Sequence, residues 1–129
     1  MKPRVLVIED DEQLRQTLGR LLTRAGYETI EAENGRSGMQ QMSQSPADVV
    51  ITDMIMPDME GVETILAVRR NYPVAKIMAI SGGGRSSAES YLKIARELGV
   101  HKILTKPLMP WEFLAAVHDL VTQKPASAE

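Results

Sequence analysis

The stretch Val49-Val50-Ile51-Thr52-Asp53 restricts the fold of this chain more than any other. Four consecutive β-branched residues are stiff at χ1 and suit a pleated strand. Their unbroken, mostly apolar character predicts a strand covered on both faces, as in a parallel sheet held between helices. The run then ends on a carboxylate, Asp53, followed by Met54-Ile55-Met56-Pro57. An ionised carboxyl costs several kcal/mol to desolvate unless something compensates it. Asp53 therefore belongs either at the wet mouth of the sheet or beside a cation. In open parallel sheets that mouth, at the carboxyl ends of the strands, is where ligands bind.

The remaining segments repeat one unit. Val5-Leu6-Val7-Ile8 is a second continuous apolar run, and Glu9-Asp10-Asp11-Glu12 follows at once. Leu14, Leu18, Leu21, Leu22 and Ala25 recur at helical spacing, with Asp11 placed to cap the helix and Gly26 to end it. Residues 28–32 form a weaker strand, Asn34-Gly35 breaks the chain, and 36–44 is a helix whose clear core residues are Met39 and Met42. A turn over 58–61 precedes a helix marked by Val62, Ile65 and Leu66, which closes near Asn71-Tyr72-Pro73. Residues 76–80 and 100–105 are further strands. Ala88, Tyr91, Leu92, Ala95 and Leu98 mark the helix between them, which Gly99 caps, and Phe113, Leu114, Val117, Leu120 and Val121 mark the last helix.

Strand and helix thus alternate five times. This predicts an α/β flavodoxin-like (βα)5 three-layer sandwich whose five-stranded parallel sheet has the order 2-1-3-4-5. At 129 residues the chain is expected to be one domain over 1–123, with 124–129 a disordered tail or the start of a linker. The net charge of −2 does not suggest general binding to nucleic acid or to an anionic membrane. The absence of cysteine removes disulfides, thiolate metal sites and cysteine nucleophiles. The amino terminus lacks the pattern of a signal peptide and no stretch could span a bilayer, so a cytoplasmic protein is expected.

In such a fold the strand ends converge, and here they carry Glu9, Asp10, Asp53, Ser81 and Lys106. Three carboxylates in one pocket repel each other, and a hard divalent cation resolves the conflict. Mg2+ prefers a few carboxylates, a carbonyl, water and phosphate oxygens. A carboxylate could receive a phosphoryl group that Mg2+ and Lys106 clamp and the Ser81 hydroxyl senses.

Four pieces in order carry a resemblance: residues 5–11, Ile51-Thr52-Asp53-Met54-Ile55-Met56-Pro57-Asp58-Met59-Glu60-Gly61, Ile80-Ser81-Gly82, and Leu104-Thr105-Lys106-Pro107. From 4 to about 122 the sequence resembles the receiver domain of two-component response regulators. It could stand alone as a chemotaxis-type regulator or come from a longer chain. The resemblance implies that Asp53 is the phosphoacceptor and that Lys106 pairs with the phosphoryl oxygens, with Ser81 as switch hydroxyl. It implies Mg2+ (or Mn2+) held by the Asp10 and Asp53 side chains and the Ile55 carbonyl, with Glu9 acting mainly through water, and a cis Lys106-Pro107 bond. The implied partners are a sensor histidine kinase or histidine phosphotransfer protein, and an output protein that binds the face of the fourth helix, fifth strand and last helix. No direct nucleic-acid or membrane contact is implied.

Three departures shape the expectation. Ile103 stands where receivers often carry an aromatic switch, so output coupling must differ or rest on Ser81 and its loop. The interval from Ser81 to Lys106 is about three residues longer than usual, with the excess in the loop of Gly82-Gly83-Gly84. Ile55 and Gly83, at positions that usually tune phosphoryl lifetime, cannot orient water with their side chains, so slow self-hydrolysis is expected. Trp111 falls off the core face of the last helix, where it either packs locally or serves a contact surface. His101 and His118 lack partners at metal-ligand spacing and are expected as ordinary surface or rim residues. Two other readings compete. One is a pseudo-receiver that never takes phosphate, against which the intact acids, Ser81 and Lys106 argue. The other is a flavin binder or enzyme of the same architecture, against which the acidic first loop argues.

Overall fold

A computed structural model describes residues 2–54, 60–82, 93 and 96–123. Its strands are β1 (Arg4–Ile8), β2 (Glu28–Ala32), β3 (Val49–Asp53), β4 (Lys76–Ser81) and β5 (Lys102–Thr105). Its helices are α1 (Glu12–Arg24), α2 (Gly35–Gln44), α3 (Glu60–Asn71) and the C-terminal helix α4 (Pro110–Thr122). All strand pairs are parallel and the order is β2-β1-β3-β4-β5, as expected for a flavodoxin-like sheet. The helix expected over 88–98 lies mostly outside the described residues, as does the tail at 124–129.

Strand parity builds the layers. Successive strand side chains point to opposite faces, and the sequence is apolar at both parities. Val5, Val7, Val49, Ile51, Met78 and Ile80 face one core with Leu18 and Leu22 of α1 and Phe113, Val117 and Leu120 of α4. Leu6, Ile8, Val50, Ile77 and Ala79 face the other core with Met42 of α2 and Ile65 and Val68 of α3. The second strand reads weakly because β2 is an edge: Glu28 and Glu31 are exposed, and only Ala32 is fully buried.

Local chemistry sets several boundaries. The Asp11 side chain accepts the Leu14 N–H at 3.2 Å and starts α1. Gly26, at φ +98°, ends it in the left-handed region that glycine enters without strain. Asn34 does more than break the chain: its side chain accepts the Ser37 N–H at 2.8 Å and caps α2. Helix α3 begins at Glu60, inside the expected turn, and β4 extends to take in Ser81. Leu66, expected to mark the buried face of α3, is exposed, and Val68 joins the expected Ile65 on that face instead. The Lys106-Pro107 bond is cis.

A candidate phosphoacceptor site at the carboxyl ends of the strands

The parity that fills one core also assembles the site. Glu9 continues the row of Val5 and Val7, Asp53 ends the row of Val49 and Ile51, and Lys106 follows Leu104 by two residues. The charged side chains meet just beyond the apolar layer. Lys106 Nζ donates to Asp53 Oδ2 at 2.7 Å and lies 3.5 Å from Glu9 Oε1. Glu9, Asp10 and Asp53 each offer a carboxylate oxygen, and these atoms lie within 4.8 Å of one another. Glu9 is 1% and Asp53 2% exposed, so the lysine meets two desolvated acids, whereas Asp10 is exposed to solvent.

Crowding shows in the ionisation. Burial is the main reason the Glu9 carboxyl is pushed up to about 7, with Asp53 and Asp10 adding to the rise. The Asp11 N–H, donating to Glu9 Oε2 at 3.1 Å, and the Lys106 charge act the other way. Among the described residues, Glu9 Oε1 is the buried side-chain oxygen left without a hydrogen-bond partner. Its 3.5 Å approach to Lys106 is an ion-pair contact only. Burial lowers the Lys106 ammonium, but the hydrogen bond and charge of Asp53, then the charge of Glu9, outweigh it, and its pKa is raised. The four groups are one electrostatic unit.

Ser81 stands next to this unit. Asp53 pairs in register with Ile80, so Ser81 is one residue further along the neighbouring strand. It is fully buried, its Oγ donates to Thr105 Oγ1 at 3.4 Å, and its carbonyl accepts the Lys106 N–H at 2.9 Å. Ile55 and Gly83 lie outside the described residues. Ile103 is partly buried against the core lined by α2 and α3.

An all-oxygen acid cluster with one lysine, at the mouth of a parallel sheet, suits a cation and an incoming phosphoryl group. Residues 5–118 match the family model described as the response regulator receiver domain. The chain belongs to the receiver family. The receiver is 34% identical over 125 residues to the transcriptional regulatory protein KdpE of Mycobacterium tuberculosis, a match covering 97% of this chain. It spans about half of that regulator's length, 54%. It is 31% identical over 119 residues to the chemotaxis protein CheY of Thermotoga maritima, covering 92% of this chain and 97% of that one. The Vibrio cholerae chemotaxis protein CheY4 shares its fold with a TM-score of 0.83 at 28% identity, over 93% of this chain and 99% of the other.

The supporting contacts of three residues of the receiver are not apparent from the sequence. Gly61, placed in a turn by its sequence, lies in α3 where an added Cβ would sit 2.5 Å from the Asp53 carbonyl oxygen. Arg15 donates through Nη1 to the Glu9 carbonyl at 2.9 Å. His101, expected at the surface or rim, accepts the Ile77 N–H on Nδ1 at 3.0 Å, and its backbone N–H donates to the Ile77 carbonyl at 2.9 Å. Of the three, only the glycine, next to the start of an expected helix, leaves any signal in the sequence. Trp111 is 70% exposed beside the exposed Met109.

Proposed function

We propose that this receiver accepts a phosphoryl group on Asp53 from a histidine kinase or histidine phosphotransfer protein, with Mg2+ or Mn2+ required, and thereby switches its protein contacts. The observation that carries the reading is the convergence of three carboxylates, within 4.8 Å of one another, on a lysine 2.7 Å from Asp53. The acids alone would repel phosphate. The donor set fits a hard divalent ion: every donor is oxygen, and the buried Glu9 Oε1 has no hydrogen-bond partner. Asp10 and Asp53 would hold it by side chains and Ile55 by its carbonyl, with Glu9 contributing mainly through water. When bound, the ion supplies the positive charge that lets carboxylates and phosphoryl oxygens share one pocket.

The chain's own groups supply the rest. An Asp53 oxygen attacks phosphorus, the P–N bond to the donor imidazole breaks, and that ring keeps the electron pair and takes a proton from solvent. Lys106 transfers its contact from the carboxylate to the phosphoryl oxygens, and the Ser81 hydroxyl donates to the same group. The domain promotes only its own phosphorylation and dephosphorylation. With Ile103 in place of an aromatic, the state of the site passes outward through Ser81 and its loop. The output partner binds the face of β5, α4 and the helix expected over 88–98, with Trp111 exposed on α4. The folded unit is 1–123, working in the cytoplasm. Among the described residues no helix is long and apolar enough to cross a membrane.

The test is to incubate the protein with a small phosphodonor and Mg2+ and to weigh it. One phosphate is expected in wild type and none in Asp53→Asn or with a chelator. No gain in wild type, or a gain that survives Asp53→Asn, overturns the reading. The bound phosphate should be lost slowly; decay within seconds overturns that part.

A further inference from the structure

Glu9 is held at three points, and the third comes from a charged side chain on α1. Its N–H donates to the Ala32 carbonyl at 3.0 Å, and its Oε2 accepts from Asp11 at 3.1 Å. Its carbonyl accepts Arg15 Nη1 at 2.9 Å. Arg15 lies in the first turns of α1, where its own N–H donates to the Asp11 carbonyl at 2.9 Å. Its mostly buried guanidinium is flanked by Glu31 Oε1 at 3.7 Å and Glu12 Oε1 at 3.9 Å. Ion pairs of this length to exposed acids contribute little. A charged donor on a carbonyl is a stronger, directional contact.

The Glu9 carbonyl belongs to the peptide that joins Glu9 to Asp10. That unit is planar, so fixing its oxygen fixes the direction in which the chain enters Asp10. Repulsion among the acids would otherwise turn this peptide to carry Asp10 outward into water. A guanidinium bonded to the backbone resists that rotation while leaving the carboxylate oxygens free for a ligand.

We propose that Arg15 is a positioning residue for the Glu9-Asp10 pair, setting the geometry with which the two acids meet a divalent cation. This rests on the reading that the acid cluster holds Mg2+. Removing the tether loosens the acid pair and weakens Mg2+ binding without touching any carboxylate.

The experiment compares wild type, Arg15→Met, Arg15→Lys and Glu31→Gln in the full chain. Mg2+ titrations are followed by calorimetry, and amide NMR spectra are recorded without metal. Arg15→Met keeps the aliphatic packing and loses the donor. It should weaken Mg2+ binding about tenfold, as loss of an outer-shell partner does, and Arg15→Lys should recover part of the loss. Glu31→Gln, which removes only the ion pair, should bind Mg2+ like wild type. In Arg15→Met without metal, the Asp10 and Asp11 amide resonances should shift. Binding within about twofold of wild type in Arg15→Met, or an equal loss in Glu31→Gln, overturns the proposal. If wild type itself takes no Mg2+, the cation reading fails, and unmoved Asp10 and Asp11 amides would then overturn the tether separately.

Discussion

The Lys106 ammonium reaches across 53 residues of sequence to within 2.7 Å of the Asp53 carboxylate. This lysine is the only cation the structure shows in direct contact with two nearly buried acids, Asp53 and Glu9, among the described residues. The pair is therefore structural as well as chemical. In chelator, Lys106→Met should lower unfolding stability by about 2 kcal/mol, because breaking a pair strands the acids. Mg2+ should then stabilise the variant more than it stabilises wild type. Urea unfolding with and without Mg2+ measures both, and an unchanged midpoint in chelator would refute the first.

Glu9→Gln should do the opposite. It removes one negative charge from a desolvated cluster and keeps an acceptor for the Asp11 N–H. Above about pH 8 the Glu9 carboxyl is ionised in wild type at a cost, since burial pushes its pKa up to about 7. There the metal-free variant should be more stable by about 2 kcal/mol and should gain less from added Mg2+. A less stable metal-free variant would count against the crowding argument.

Gly61→Ala reverses the usual sign of that substitution. Alanine in a helix is ordinarily favoured over glycine by about 1 kcal/mol. Here the new Cβ would meet the Asp53 carbonyl oxygen at 2.5 Å and Met54 Cα at 3.0 Å. Both are backbone atoms, so α3 must move off the end of β3, at about 2 kcal/mol, as in overpacked cores. Thermal unfolding should show the loss, and phosphate uptake should fall because the strain bears on Asp53. A Gly61→Ala variant as stable as wild type would mean that α3 approaches less closely.

His101 predicts a pH dependence far from the acids. Burial lowers its pKa below the ordinary 6.5, and the charges of Lys76 and Arg69 lower it further. Its Nδ1 holds the Ile77 N–H, which only the neutral ring can accept. The unfolded chain therefore binds the proton more readily, so stability is full above the unfolded value and falls as pH drops through 6.5 toward the folded one. His101→Asn keeps a side-chain acceptor and cannot titrate. Between about pH 7.5 and about pH 5.5 its unfolding midpoint should fall less than that of wild type. Equal slopes would remove His101 from the balance.

Much of this protein is legible in its sequence alone, because the deciding physics is local. Two-sided apolar runs at 5–8, 49–52 and 77–80 specify buried strands, and helical spacing between them specifies the crossovers. Parallel pairing and right-handed crossovers leave few orders, and the sheet adopts the expected one. Asp11 and Gly26 bound α1 through their own backbone and side-chain chemistry. Acids placed directly after apolar strands announce a site, because burial makes their crowding costly unless a ligand relieves it. What periodicity could not disclose is which atoms touch once distant strands align. The hold of Arg15 on the Glu9 carbonyl, the closeness of Gly61 to Asp53 and the Ile77 bond of His101 are contacts made across elements. They depend on packing distances of a few ångströms, and only the tertiary structure decided them.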